Sequence, residues 1–146
     1  MKTIQEIAAE MEREFGAFED WMDKYNYLIE MGKSVPMIDS QYRTDAYLIK
    51  GCQSRVWLQA ELEGGRVVFR ADSDAVITRG IAAMLIRVFS GQTTQDIISA
   101  DTSFIDRIGL QEHLSPTRSN GLLSMLKQMK LFALAFQARE SSKGQN

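Results

Sequence analysis

The segment KGCQSR, from Lys50 to Arg55, contains the only cysteine in this 146-residue chain. A thiol becomes a nucleophile when it is ionised, and the cations Lys50 and Arg55 favour the thiolate. Asp72 and Asp74 would oppose ionisation of the thiol, because the strand register predicted below brings them near Cys52. A free cysteine is also among the most frequently buried residue types. Cys52 is therefore interpreted either as a packed core side chain or as a reactive group.

Other chemistries have less support in the sequence. One cysteine and one histidine, His113, cannot supply the several thiolate or imidazole ligands of a zinc site or an iron–sulfur cluster. A Cys52–His113 nucleophile pair stays formally open, but His113 is more typical of a surface or capping residue. The sequence contains no glycine-rich phosphate loop and no GxSxG motif. We therefore expect neither a bound cluster nor a structural zinc ion.

The composition is that of one globular domain. Hydrophobic residues make up 45% of the chain and charged residues 25%, with a formal net charge of −2. Without a basic run or stripe, nucleic acid is not an expected partner. Residues 1–15 are acidic and amphipathic rather than signal-like, and no run reaches the ~20 apolar residues of a membrane span. One cysteine cannot form an internal disulfide, so we expect a cytoplasmic protein. Because the sequence has neither a signal-like start nor a membrane span, we also expect no association with a membrane.

Alternating hydrophobic residues on both sides of Gly64-Gly65 predict an antiparallel β-hairpin. A two-residue turn there pairs Glu63 with Arg66 and, further along, Leu58 with Ala71. One face of the hairpin is then apolar, and we expect the other to meet water.

A shorter apolar run at residues 47–49 is expected to pair back onto residues 56–58, giving a third strand. This pairing requires the chain to reverse at residues 51–54. Cys52 would then lie at a turn rather than inside a strand.

Helical spacing of apolar residues predicts two helices before the hairpin. Thr3-Ile4-Gln5-Glu6 has the form of a capping box that begins the first, and Gly16 interrupts it. The second is expected to stop at Gly32. Two short helical segments are predicted near residues 93–98 and 104–110.

The segment from Ala75 to Phe89 is apolar nearly all round, which predicts a central buried helix. Asp72, Ser73 and Asp74 are interpreted as its N-terminal cap. Gly80 within it is tolerable if something packs closely against the backbone there.

The last predicted helix begins at Pro116 and is long. The polar residues 139–146 are expected to form a flexible tail. No linker or repeat separates a second domain, so residues 1–138 are expected to form one unit.

Three segments, in this order and spacing, resemble one known family. They are GCQSRVW around Cys52, ADSDAVITRGIAAML from Ala71 to Leu85, and LSPTRSNGL from Leu114 to Leu122. Together they are similar to the SufE family of sulfur-acceptor proteins, which includes the CsdE proteins. The likeness extends from about the first helix to Ala138, and YNYLIEMGKSVP matches the family's second helix and following loop.

The resemblance implies an α+β domain with a small three-stranded antiparallel sheet packed against several helices, similar to the scaffold protein IscU. It identifies Cys52 with the family's persulfide acceptor. Further residues of the matching motifs are expected to support the acceptor loop or contact a partner: Gly51, Gln53, Ser54, Asp74 and Arg118. For Arg118, Asp74 is a candidate anionic neighbour.

The resemblance also implies partners. A pyridoxal-phosphate cysteine desulfurase of the SufS or CsdA type would supply sulfur and be stimulated by this chain. A SufBCD-type iron–sulfur scaffold would receive the sulfur. Pyridoxal phosphate would belong to the desulfurase, so we expect no cofactor on this chain, which would act as a carrier rather than as an enzyme. A homodimer is compatible with the sequence, which leaves the oligomeric state open.

Two other functions stay open at this point. The chain could be a regulator that binds a desulfurase without carrying sulfur, or a thiol redox sensor. A sensor would require ready oxidation of Cys52 to sulfenic acid, and the absence of a second, resolving cysteine makes that role less favoured.

Overall fold

The computed structural model describes residues 2–34, 38–49 and 54–144. Over these residues the chain has the predicted α+β architecture, with a three-stranded antiparallel sheet in the order β1-β2-β3 and several helices. The strands are β1 (Val56–Glu63), β2 (Arg66–Ser73) and β3 (Gln92–Thr93). The helices are α1 (Ile4–Gly16), α2 (Trp21–Lys33), α3 (Val76–Phe89), α4 (Thr94–Ile98), α5 (Phe104–Ile108), α6 (Leu110–His113) and α7 (Pro116–Gly144).

The predicted hairpin register is confirmed along its whole length. Glu63 pairs with Arg66 and Leu58 with Ala71. The turn works because Gly64 and Gly65 both have positive φ, at 57° and 79°, which the tight hairpin requires and glycine adopts without strain. The inner face of the hairpin is apolar and packs against α3.

The outer face meets water only in part: Glu63 and Arg66 are exposed as expected, but the end of the hairpin away from the turn is covered. Gln59 is only 4% exposed. It lines a polar cleft together with Asp39 and Tyr42, which come from the segment before β1 and cover this part of the sheet. The strand pattern could not predict this cover, because residues 38–47 have no periodicity.

The predicted third strand is wrong in its location. Residues 47–49 do not form a strand, because Asp45–Tyr47 is a 3-10 turn and leaves too few extended residues for a ladder. Only the isolated bridge between Leu48 and Trp57 remains of the predicted pairing. The third strand is instead β3, which pairs with β2 through Val67 and Gln92 at the opposite edge of the sheet.

The capping box of α1 is confirmed, since Thr3 Oγ1 accepts a hydrogen bond from the Glu6 amide and the Glu6 carboxylate accepts one from the Thr3 amide. The predicted cap of the central helix is wrong. Ala75 is the N-cap of α3, without a side-chain cap bond. Asp72 and Ser73 belong to β2 because the hairpin ladder continues to Ser73.

Helices α2 and α3 approach each other closely in the core. Gly32 does not stop α2, which continues to Lys33; it packs against Gly80 of α3 instead. A Cβ atom placed on Gly80 would lie 2.3 Å from the carbonyl oxygen of Leu28. The predicted close packing at Gly80 is therefore confirmed, and two backbones touch where these helices cross.

The final helix α7 packs against α3, α4 and β1. Helix α7 extends to Gly144, so it includes most of the segment expected to form a flexible tail from residue 139 onward. The flexibility of that segment stays a prediction. None of the helices in the described part of the chain combines the length and apolar character needed to cross a bilayer.

An ion-pair cluster joins α1 to α3. Arg87 donates a hydrogen bond to Glu14 at 2.8 Å and lies 3.5 Å from Glu10. The hydrogen bond from Arg87 lowers the pKa of the Glu14 carboxyl below its ordinary value, although partial burial opposes the change. The hydroxyl of Tyr27 also donates to Glu14, so this carboxylate ties together three helices.

Replacing Gly80 with alanine should destabilise the fold. The new methyl group would collide with the Leu28 carbonyl, and this cost should exceed the helix propensity gained, giving a net loss of about 1–3 kcal/mol in the free energy of unfolding. Gly16→Ala is the matched control, because nothing lies within 4 Å of a Cβ atom there. Urea denaturation of both variants measures the effect, and equal stabilities would contradict the close packing.

Glu14→Gln should lower stability in a pH-dependent way. Because the folded pKa of Glu14 is lowered, its contribution is present above the carboxyl's ordinary pKa and is lost as pH falls through the lowered value. We expect a loss of about 0.5–1 kcal/mol at pH 7 that shrinks below about pH 4. Chemical denaturation across pH tests this, with the exposed Glu30→Gln as control; a difference from wild type that is constant with pH would contradict it.

Candidate functional site

The centre of the predicted site lies outside the described residues. Gly51, Cys52 and Gln53, together with Lys50, belong to that part of the chain. The segments on both sides of it are described. The site is therefore built from these flanking segments and from the elements that hold them.

Residues 47–49 form the flank before Cys52, called the ascending flank, and residues 54–57 form the descending flank after it. The two flanks lie side by side. The Ile49 amide donates a hydrogen bond to the Val56 carbonyl at 2.8 Å, and Leu48 forms a bridge with Trp57. The pairing of the two flanks agrees with the sequence prediction, whereas residues 51–53, where the chain was expected to reverse, lie outside the described residues. The bases of the segment that carries Cys52 are thus fixed to each other by backbone hydrogen bonds.

The descending flank is held by the end of β2. The Asp74 carboxylate accepts a hydrogen bond from the Arg55 amide at 3.1 Å, and the Asp74 amide donates to the Arg55 carbonyl at 3.3 Å. The Ser73 hydroxyl donates to the same carbonyl at 2.7 Å. Asp74 thus binds the backbone three residues after Cys52 instead of capping α3. Ser54, the residue before Arg55, is half-buried.

Arg118 lies at the surface. It is exposed in the first turn of α7, where its amide donates to the Ser115 hydroxyl at 3.3 Å. Among the ion pairs of the described residues, none joins Arg118 to Asp74. The structure therefore brings Ser54 and Asp74 together at one end of the hairpin, without the expected contact between Asp74 and Arg118.

Sequence reasoning missed a charged group next to these flanks. Asp72 is 3% exposed, and its carboxylate contacts Arg43 and lies 3.0 Å from Arg79. We call Arg43, Asp72 and Arg79 the Asp72 cluster. The guanidinium of Arg43 also lies over the ring of Trp57, 5.7 Å from its centre. Asp72 had been read as a helix cap, and no pattern in residues 38–47 indicated Arg43.

A cleft opens beside the ascending flank. It has a volume of about 430 Å³ and lies between Leu48 and Ile49 on one side and α7 on the other. Lys127 and Leu131 are among the α7 residues that line it, so its wall is partly apolar and partly cationic. Near the descending flank, Val76 is 60% exposed, which is unusual for the first residue of an otherwise buried helix.

A metal site does not emerge from the described residues. Within them, no three histidine, cysteine, aspartate or glutamate side chains come together in a way that could hold an ion. His113 is exposed and stacks on Trp21, with ring centres 3.8 Å apart. It belongs to the contact between α6 and α2.

Comparison with protein families gives a match over most of the chain. Residues 9–133 match the family described as "SufE: Fe-S metabolism associated domain". This range includes both flanks, the Asp72 cluster and most of α7. The three segments that resembled SufE proteins lie inside it.

Curated relatives carry the same family name. The chain is 36% identical over its full length to "SufE-like protein 1, chloroplastic/mitochondrial" of Arabidopsis thaliana, and it spans 41% of that protein. It is 38% identical to an uncharacterized SufE-like protein of Rhizobium meliloti, over 80% of this chain and 87% of the relative. An uncharacterized SufE-like protein of Synechocystis is 33% identical, over 95% and 87%. A cytoplasmic location for this chain stays a prediction.

A solved structure has the same fold. The solution structure of a hypothetical protein from Thermus thermophilus superposes with a TM-score of 0.74, over 88% of this chain and 94% of that chain. The two sequences are 19% identical, so this likeness concerns the fold alone. With the family match over residues 9–133 and relatives at 33–38% identity, the chain belongs to the SufE family, which is associated with Fe–S metabolism.

Proposed function

We propose that this chain is a sulfur acceptor and carrier, and that Cys52 receives the sulfur as a persulfide. The proposal is carried by the family match over residues 9–133, which includes the single cysteine of the chain, and is supported by the resemblance of the segment GCQSRVW to the SufE acceptor motif. The paired flanks on both sides of Cys52 support it, because they attach a short reactive segment to a rigid sheet.

The proposed reaction is a thiolate displacement. The Cys52 thiolate attacks the outer sulfur of a persulfide on a donor cysteine, forming a new S–S bond as the donor's S–S bond breaks. The electron pair of the broken bond stays on the inner sulfur, which leaves as the donor's thiolate. The outer sulfur arrives on Cys52 as a persulfide, and no oxidant or reductant is consumed.

A single cysteine suits this role. A second thiol near the persulfide could attack it, form an internal disulfide and release the sulfur. With Cys52 alone in the sequence, that loss has no internal route. The cargo then leaves only when another molecule's thiol reaches it.

The proposed donor is a pyridoxal-phosphate cysteine desulfurase of the SufS or CsdA type, which this chain would stimulate. Pyridoxal phosphate would generate the persulfide on the desulfurase, so this chain would need no cofactor. A SufBCD-type scaffold is the proposed recipient. Exposed groups at the base of the acceptor segment, Arg55, Asp74 and Val76, are suited to contact such a partner because they surround the descending flank.

The proposal predicts a mass gain at Cys52. After incubation with a SufS-type desulfurase, pyridoxal phosphate and cysteine, intact mass spectrometry should detect an addition of about 32 Da per transferred sulfur. Dithiothreitol should remove it, since a persulfide is reducible. Peptide mapping should place the added sulfur on the peptide containing Cys52.

Cys52→Ser is the matched variant. It should fold normally, gain no mass and no longer stimulate cysteine-dependent sulfide release by the desulfurase. A variant that still stimulates fully would identify the chain as a binding regulator instead of a carrier. Wild-type protein that stays unlabelled while the desulfurase itself carries sulfur would reject the acceptor role.

A further inference from the structure

The polar cleft on the outer face of the hairpin has the size of a small-molecule site. Its volume is about 380 Å³, within the ~300–1,000 Å³ typical of such sites. We call it the Gln59 cleft. Its lining consists of Asp39 and Tyr42 from the segment before β1, Gln59 and Glu61 from β1, and Arg70 from β2. Each of these side chains carries a polar group, whereas most small-molecule sites are lined mainly by apolar residues.

Gln59 is the most buried side chain of the lining, at 4% exposed. Its amide nitrogen donates a hydrogen bond to Glu61 Oε1 at 2.8 Å, and Glu61 is the only partner of this amide among the described residues. A glutamine amide has two donors and an oxygen that can accept twice. The amide oxygen therefore keeps its capacity to accept. Burying such a group costs stability unless water or a ligand binds it.

The charged groups of the cleft are incompletely paired. The guanidinium of Arg70 and the carboxylate of Glu61 approach to 3.6 Å, which is longer than a formed hydrogen bond. Asp39 belongs to none of the ion pairs found among the described residues. Gln59 and Arg70 are cross-strand partners, so their side chains are neighbours on one face. The cleft thus presents anionic and cationic groups side by side.

We propose that the Gln59 cleft binds a free α-amino acid as a zwitterion. Arg70 binds the carboxylate of the ligand, because a guanidinium presents paired donors that match a carboxylate. An ammonium group has three N–H donors. The carboxylates of Asp39 and Glu61 and the amide oxygen of Gln59 supply three acceptors for them.

The charges favour a zwitterion over an ion of one sign. Arg70 would repel a simple cation, and the two carboxylates would repel a phosphate or a dicarboxylate. The ammonium and carboxylate of an α-amino acid are attached to one carbon atom, so they are close neighbours, as Glu61 and Arg70 are. The polar lining favours an amino acid with a small or polar side chain.

Titration of the full-length ¹⁵N-labelled chain with L-alanine tests the proposal by NMR. The side-chain amide signal of Gln59 should shift and saturate, with a midpoint below about 10 mM. Ethylamine is L-alanine without its carboxylate, and propionate is L-alanine without its ammonium. Each should bind at least about ten-fold more weakly at the same ionic strength, because each loses one set of charge-assisted hydrogen bonds.

Two variants test the assigned roles. Arg70→Gln should weaken binding of L-alanine at least about ten-fold. Asp39→Asn should weaken it about three-fold or more, since it removes one charge that faces the ammonium. Arg139→Gln, at an exposed position on α7, is the matched control and should bind as wild type does. The amide spectrum of each variant reports whether it folds, and the two half-analogues decide the question on wild-type protein if a variant does not.

The inference is overturned if the Gln59 signal does not saturate with L-alanine up to about 50 mM. It is also overturned if ethylamine or propionate binds as tightly as L-alanine, because the cleft would then recognise an ion of one sign. The proposal makes no use of Cys52, so Cys52→Ser should bind L-alanine like wild type. Failure of the carrier role would leave this site intact, and the reverse also holds.

Discussion

The register of β1 against β2 is the constraint on which the rest of the structure depends. Side chains alternate between the two faces of a strand, so a slip of one residue would exchange the buried Leu58 with its outward neighbours. It would also separate Trp57 from Asp72 and Arg55 from Asp74. The turn at Gly64–Gly65 fixes this register from the far end of the hairpin. The local conformation of two glycines thus determines which residues meet beside the segment that carries Cys52.

The hairpin and the turn were predictable because their signals are local. Alternation specifies a half-buried strand, and a Gly-Gly pair specifies the turn, so Glu63 could be matched with Arg66 without knowledge of the fold. The third strand could not be predicted, because two residues, Gln92 and Thr93, are too few to give a pattern. The apolar run at residues 47–49 gave a wrong strand prediction for a related reason. Residues that favour strands are equally compatible with a single bridge after a 3-10 turn, which is what this segment forms.

The site was partly predictable. Ser73 and Asp74 were wrongly predicted to cap α3, because side chains that cap a helix are the same ones that bind a loop backbone. Only tertiary contacts distinguish these two uses. Arg43 was missed because it lies in a segment without periodicity. Arg79 was hidden in an apolar helix, where one cation among hydrophobic residues gives no indication of its partner. Family resemblance singled out Cys52 as the expected acceptor, which stays a prediction, whereas physical reasoning about its neighbours left its role undecided.

The contact between Gly32 and Gly80 has a mechanical consequence. Side chains between two helices act as a compliant layer, because they can change rotamer when one helix is pushed. Here backbone meets backbone with the Leu28 side chain beside it, so that layer is thin at the crossing. The first turn of α3 begins two residues after Asp74, and a force applied there would be transmitted to α2 as a displacement of the whole helix, with little of it absorbed at the crossing.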